Sequence, residues 1–507
     1  MTRNQILLKM LKKLYNFFHI PKWLFLLLLL VITLRIPSLF EPYSYGDETI
    51  YLTLGEGIRK GVTLYKDLHD NKPPLLYITA AVAGNLFWFK AILLFSSLIG
   101  ITLFFRFSEK LYPKIKNFAV ISTVIFAILT TLPFLEGNIV NAENFMLVPT
   151  LAAFYILLFK KNSSKNIFIS GILFSISSLY KIPAIFDFPA IIFFWLVSGR
   201  LTKRGLLEIL SKTAILLLGL ATPIVLTFIY YFLKGAFSDY LIAAYLQNFG
   251  YLSSWRPDSN KDPFLVKNAP LIIRGMIIFT INVLLYLSRK KVDKKFLFLV
   301  SWLSFSIFAI TLSERPYPHY LLQSAATVSA LIGLLFTSLS MLQVYSVLPI
   351  TLFLLIPLVY KFWHYRSADY YLKFINFSSG KLGKTQYLES FGGRTVINYE
   401  IAGIIKNLTH ENDRVFIWED SAQIYAISKR LPPIKYTSGY HINDFSSIDD
   451  AVSQLQKNIP RVVVVFFSSK PPPQLLVFIR NNYILYKETD EYQIWKYGGE
   501  YSRYIYQ

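Results

Sequence analysis

Residues 35–77 read RIPSLFEPYSYGDETIYLTLGEGIRKGVTLYKDLHDNKPPLLY. An apolar run over 20–34 leads into this stretch, and another apolar segment opens at Pro74. The stretch is therefore expected to be a loop that leaves a bilayer and returns to it. Asp47 and Glu48 form an adjacent acidic pair about a dozen residues past the first run, close to the membrane surface. Ile50, Leu52, Leu54 and Ile58 follow at a spacing that predicts a helix lying against the membrane. Asp70, Asn71, Lys72 and the Pro73–Pro74 pair then carry the chain back.

Outward from this loop the sequence is mostly apolar. The 507 residues are 54% hydrophobic, 17% aromatic and 16% charged, whereas a soluble domain has about 25% charged residues. Mean hydropathy is +0.43. Runs long enough to span a bilayer are read at 20–34, 90–106, 118–134, 145–159, 166–180, 183–198, 213–233, 269–288, 296–312, 320–339 and 342–362. The first is expected to be a span rather than a cleaved signal, because no small-residue cleavage site follows it. Residues 74–88 are short for a crossing and are read as interfacial or re-entrant. Eleven spans follow, with an odd parity that places the two ends of the chain on opposite faces.

The charges test that parity. The chain carries 52 basic and 30 acidic residues, a net +22, and no cysteine. Disulfide scaffolds, zinc fingers and iron–sulfur proteins are excluded. With a cytoplasmic N-terminus, the inner flanks 1–22, 106–117, 160–165, 199–212 and 289–295 hold 21 basic residues against three acids. This is the positive-inside pattern, so the basic excess marks topology and not a nucleic-acid partner. The expected localisation is a multi-pass cell membrane protein.

Beyond residue 362 the composition changes. Arg414–Trp418 and Arg461–Phe467 read as buried parallel strands, being β-branched and too short for helices. Helices are expected at 421–430, 446–457 and 474–482, and a hairpin at 483–488 and 492–497. The chain thus divides into a membrane domain, 1–362, with its catalytic loop at 35–74, and a small α/β extracytoplasmic domain, 363–507. Glu419-Asp420 and Asp449-Asp450 are expected to cap or solvate helices there.

Several polar groups at outer span ends are not explained by the membrane. Glu136 and Glu143 flank the turn EGNIVNAENF, and Lys181 sits between two spans against the inside rule, where a carboxylate or anion is expected to hold it. Asp187 and Arg274 lie within spans, where ionisable groups are either functional or snorkel to the interface. Glu314, Arg315 and His319 open another span in SERPYPHYLL. Carboxylates suit a general base, lysine and arginine suit a phosphate, and aromatic faces suit a lipid or a sugar ring. Together they suit group transfer from a lipid-linked phosphate. Neither a P-loop nor GxGxxG is present.

The order of Asp47-Glu48, then G-x₃-Y-x-D-x₄-K-P-P-L-x-Y from Gly61 to Tyr77, Asn141-Ala142-Glu143-Asn144, Tyr180-Lys181-Ile182-Pro183 and Pro318 to Gln323 resembles the polyprenyl-phosphate-sugar-dependent membrane glycosyltransferases of the GT-C type. The pattern is similar to bacterial relatives of the protein O-mannosyltransferases and of the lipid A aminoarabinose transferase, over residues 20–340. The resemblance implies a mainly α, polytopic GT-C fold and inverting transfer of a sugar from a polyprenyl-phosphate donor to a glycan, lipid or protein acceptor. It makes Asp47 the base, with Glu48 assisting it or orienting the site, and places Glu143 in the sugar pocket. Lys72 and Lys181 would hold the donor phosphate, with Arg274 and Arg256 of the loop 235–268 as further cations. Tyr51, Tyr65, Tyr77, His319 and Tyr320 would line the lipid and sugar cleft. Some relatives place a divalent cation near the acids, here Asp47 and Glu143, and others need none. The alternative is a secondary transporter or lipid flippase, for which inverted repeats and broken helices at the midplane are expected; the sequence shows no repeat. A non-catalytic receptor would leave Lys72 and the acid pair without a task.

Overall fold

The computed structural model describes residues 20–200, 202–248 and 264–499. Seven helices among them are long and apolar enough to cross a membrane: Lys22–Leu39, Leu86–Leu111, Ala142–Phe159, Lys203–Leu233, Ala269–Lys290, Pro318–Thr337 and Met341–Val359. Helices Phe118–Thr131, Ser164–Tyr180, Pro189–Ser198 and Lys294–Ile310 occupy the other expected runs. Prolines shape two of them. Pro183 starts a 3₁₀ turn, Ile182–Asp187, before Pro189 opens the α-helix, and Pro318 starts another, Pro318–Ser324, ahead of Ala325–Thr337. In both, proline sits in the first turn, where its missing N–H costs nothing.

The segment at 74–88 is divided. Leu75–Ala83 has nine residues, about 14 Å of helix, half of what a bilayer core needs. Gly84, at φ +67°, ends it in the left-handed conformation that glycine adopts without strain. Leu86 then starts the next long helix, which absorbs the end of the expected interfacial stretch.

The chain forms two compact units. The first comprises Met1–Leu39, Lys90–Pro223 and Leu252–Ser367. Its helices approach closely where side chains are small: a Cβ on Gly171 would lie 2.2 Å from the Leu216 carbonyl oxygen, and one on Gly219 2.1 Å from that of Phe168. The second comprises Phe40–Phe89, Ile224–Tyr251 and Ala368–Gln507. Here helix Gly46–Arg59 packs against Leu75–Ala83 and Ala422–Ser428.

The second unit also holds the sheet, formed by β1 (Val415–Trp418), β2 (Val462–Phe466), β3 (Tyr483–Glu488) and β4 (Tyr492–Tyr497). Their order is β1-β2-β4-β3; β1 and β2 are parallel, and the remaining pairs antiparallel. Both β1 and β2 are buried throughout, as strands covered on two faces must be. Val415, Ile417, Val462 and Val464 face helices Arg394–Leu408 and Ala422–Ser428. Phe416, Trp418, Val463 and Val465 face Ile448–Lys457 and Pro473–Asn482. Four helices here go beyond the sequence expectations: Ser367–Ser378, Lys384–Glu389, Arg394–Leu408 and Gly439–Phe445. The third opens with Thr395, Val396 and Ile397, a β-branched start that masks its helical period.

Candidate functional site

Most of the expected site residues gather into two clusters, one in each unit. In the second unit, Tyr45 is extended (φ −84°, ψ 122°) and turns the chain into helix Gly46–Arg59. This puts Asp47 and Glu48 in the first turn, where the helix dipole favours carboxylates. Glu48 is buried, whereas the Asp47 side chain keeps 38% of its surface exposed. One turn on, the Tyr51 hydroxyl donates to Asp47 Oδ2 at 2.8 Å.

Lys72 is held from every side. Its N–H donates to the Tyr77 hydroxyl at 3.2 Å, and its carbonyl accepts from the Tyr65 hydroxyl at 2.8 Å. Its ammonium lies 3.9 Å from Asp47 Oδ2, 3.9 Å from Asp70 Oδ2 and 4.9 Å from the centre of the Tyr51 ring. Asp70 accepts from the Tyr77 hydroxyl (2.8 Å) and the Asn71 N–H (2.7 Å). Burial alone would raise the Asp70 carboxyl, but the Lys72 ammonium, His441 and these hydrogen bonds hold it below its ordinary value. Burial, reinforced by the neighbouring carboxylates, pushes the Tyr51 and Tyr77 phenols well above their usual range, so both act as neutral donors.

Tyr51, Tyr65 and Tyr77 are almost wholly buried. Tyr65 takes φ +69°, costly for a residue with a Cβ, and is fixed by Tyr231 and Tyr240 at 5.1 Å each. These rings are the frame of Lys72. The C-terminal segment contributes as well: His441 Nε2 is 4.0 Å from Asp70 Oδ1, and its ring is 6.1 Å from that of His69. Burial lowers both imidazoles, His69 to about 4.

The first unit holds the other cluster. Glu143, in the first turn of Ala142–Phe159, pairs with Lys181, which the end of Ser164–Tyr180 leaves in an extended conformation. The Lys181 ammonium sits 3.6 Å from the centre of the Tyr320 ring. His319 lies between two acids, with Nδ1 on Glu136 and Nε2 3.8 Å from Glu143 Oε1. Asn141 donates to Glu136 Oε2 at 3.1 Å.

Arg274 joins neither cluster among the described residues. It pairs with Glu314 at 3.1 Å and donates to the Thr311 carbonyl. Asp187 is buried and accepts from the Ser306 hydroxyl at 2.8 Å, so it does not snorkel. Glu419, expected to cap or solvate a helix, is buried instead and braced by Arg394, Ser468 and Ser469. Arg256 lies outside the described residues. No local sequence pattern marks Asp70 or His441 as site residues, whereas Glu136 stands opposite Glu143 across one turn. Among the described residues no three His, Asp or Glu side chains gather as metal ligands.

Chemically, the first cluster offers a half-exposed carboxylate beside an ammonium, at ion-pair distance rather than in a tight hydrogen bond. Such a lysine can turn to an arriving anion, which frees the carboxylate to accept a proton. The second cluster offers a buried row of polar side chains, Glu136, His319, Glu143 and Lys181, ending on the aromatic face of Tyr320.

No family model and no curated protein sequence matches the chain. Solved structures do. ArnT from Cupriavidus metallidurans bound to undecaprenyl phosphate aligns with a TM-score of 0.55 at 14% identity, covering 93% of this chain and 97% of that one. Its apo state aligns with a TM-score of 0.54 at 13% identity and the same coverage. An oligosaccharyltransferase from Archaeoglobus fulgidus gives 0.45 at 13% identity, over 94% of this chain and 72% of its own. The chain has the GT-C fold: a mainly α, multi-pass membrane protein with a small C-terminal α/β sheet.

Proposed function

We propose that the protein moves a sugar from a polyprenyl-phosphate donor to an acceptor hydroxyl on a glycan, lipid or protein outside the cytoplasm. The observation that carries this reading is the placement of Lys72, whose ammonium stands between the exposed carboxylate of Asp47 and the buried carboxylate of Asp70. The ArnT structure that shares the fold holds undecaprenyl phosphate, which supports a polyprenyl phosphate as the lipid.

In this mechanism the donor phosphate takes the Lys72 ammonium from Asp47. Asp47 then removes the acceptor proton as general base. The acceptor oxygen attacks the anomeric carbon as its bond to the phosphate oxygen breaks, inverting the configuration. The electron pair leaves with the polyprenyl phosphate, whose added negative charge Lys72 stabilises. Asp70, satisfied by Tyr77 and Asn71, keeps Lys72 in place. Glu48 supports the first turn, and for Glu143, Lys181, His319 and Tyr320 of the first unit's cluster the same reading gives a role in holding sugar and phosphate. A divalent cation near the acids and a phosphate contact from Arg256 or Arg274 belong to the same reading. The N-terminus is cytoplasmic and the C-terminal domain extracytoplasmic, on the strength of the basic flanks.

The test separates chemistry from binding. Asp47→Asn should lower transfer by about 10²- to 10⁴-fold, the usual worth of a general base, while affinity for a polyprenyl monophosphate stays within twofold of wild type, on the order of experimental error. Unchanged transfer would remove Asp47 from the mechanism. Lys72→Ala should weaken that binding roughly ten- to a hundredfold, as for a lost charge-assisted contact.

A further inference from the structure

Helix Ser367–Ser378 (SADYYLKFINFS) has no buried residue, yet its two faces differ. One face is engaged. The Tyr370 hydroxyl donates to Glu41, Phe374 packs on Phe40 with ring centres 5.8 Å apart, and Phe377 stacks on Tyr387 at 4.2 Å. The other face carries Ala368, Leu372 and Ile375 at the i, i+4, i+7 spacing of a single stripe. Leu372 and Ile375 are each 55% exposed, and Phe40, which packs on Phe374 of the engaged face, is itself 54% exposed.

Two chain connections place this stripe. Phe40 and Glu41 are the first residues after helix Lys22–Leu39, so the engaged face is tied to points within about 7 Å of chain from a candidate span's end. The helix also follows Met341–Val359 after a short link that contains Tyr360, Trp363 and Tyr365. Such aromatics mark a bilayer interface. Lys361, Arg366, Lys381 and Lys384 flank the helix and are all exposed.

We propose that Ser367–Ser378 is an interfacial helix, lying in the bilayer surface at which Lys22–Leu39 ends. Ala368, Leu372 and Ile375 enter the boundary between headgroups and acyl chains, and the flanking cations meet lipid phosphates. The helix thereby fastens the C-terminal segment to the membrane. This role does not depend on the transferase reading.

The absence of cysteine allows a direct test on the full-length protein. Single cysteines replace Leu372, Ile375 or, as an exposed control, Glu411. Each variant is reconstituted in vesicles of phosphatidylethanolamine and phosphatidylglycerol, freeze–thawed so that reagents reach both faces. A membrane-impermeant maleimide should label Glu411→Cys and fail on Leu372→Cys and Ile375→Cys, while a lipid-soluble maleimide labels all three. Labelling of positions 372 and 375 by the impermeant reagent would put the stripe in water. Protection from both reagents would mean that protein covers it, a partner or a second copy. Either result overturns the proposal.

Discussion

Lys72 has its N–H, its carbonyl and its ammonium each committed to a different partner, so the residues around it matter more than their distance from the chemistry suggests. Tyr77→Phe removes the hydroxyl that joins Asp70 to the Lys72 N–H; it should cost about 1–3 kcal/mol and weaken polyprenyl phosphate binding while Asp47 stays in place. Thermal unfolding together with lipid binding checks both. The His69 imidazole carries a pH signature. Its folded value of about 4 lies below the ordinary 6.5, so the unfolded chain takes up the proton first. Stability should be full above pH 6.5, fall as pH drops towards 4, and level off below, with roughly 3 kcal/mol at stake. His69→Phe, among the rings of Tyr436 and Phe445, should flatten that slope in a series of melting curves; an unchanged slope would assign the effect elsewhere. Asp47, Glu48 and Lys72 were legible in the sequence because charge beside a membrane span needs a reason. Asp70 and His441 were not, since what they do depends on two distant stretches of chain meeting, which no local pattern encodes.

Among the elements, the apolar helices were legible because each run is long and bounded by charge or proline. The strands β1 to β4 were legible for a different reason, their β-branched runs between turn residues. The sheet order was not, because β4 pairs with β2 across the whole of the intervening chain. The short helix 75–83 depends on one small residue: a Cβ on Gly55 would meet the Ala80 backbone at 2.7 Å. Gly55→Ala should therefore push helix Gly46–Arg59 off its neighbour, at a cost of about 1–3 kcal/mol, and lower activity by shifting Asp47 against Lys72. In the first unit, the Glu143–Lys181 pair joins two helix ends. Glu143→Gln leaves a mostly buried ammonium without its counter-charge and should cost about 3 kcal/mol, more than the Glu143→Gln/Lys181→Met double variant. A double-mutant cycle on unfolding measures the difference, and additive costs would deny the coupling.

For the molecule as a whole, the net +22 of the sequence is a statement about sidedness. Its basic excess sits in five flanks that the eleven-span reading puts on one face of the membrane. Single cysteines at Lys116 and Glu411 should accordingly label from opposite faces of oriented membranes. The polytopic architecture was foreseeable from the spans and the GT-C fold from the resemblance that the motifs between Asp47 and Gln323 carry, whereas the grouping of the loop 35–77 with the C-terminal segment in one compact unit was not. The central claim is that this fold transfers a sugar from a lipid phosphate. Its most direct measurement incubates the purified protein with a panel of polyprenyl-phosphate sugars and follows the release of free polyprenyl phosphate. The expected result is release from at least one donor by the wild type and release slower by about 10²-fold or more by Asp47→Asn. If no donor is cleaved or transferred by folded protein that still binds polyprenyl phosphate, the molecule handles the lipid without chemistry and the transferase reading falls.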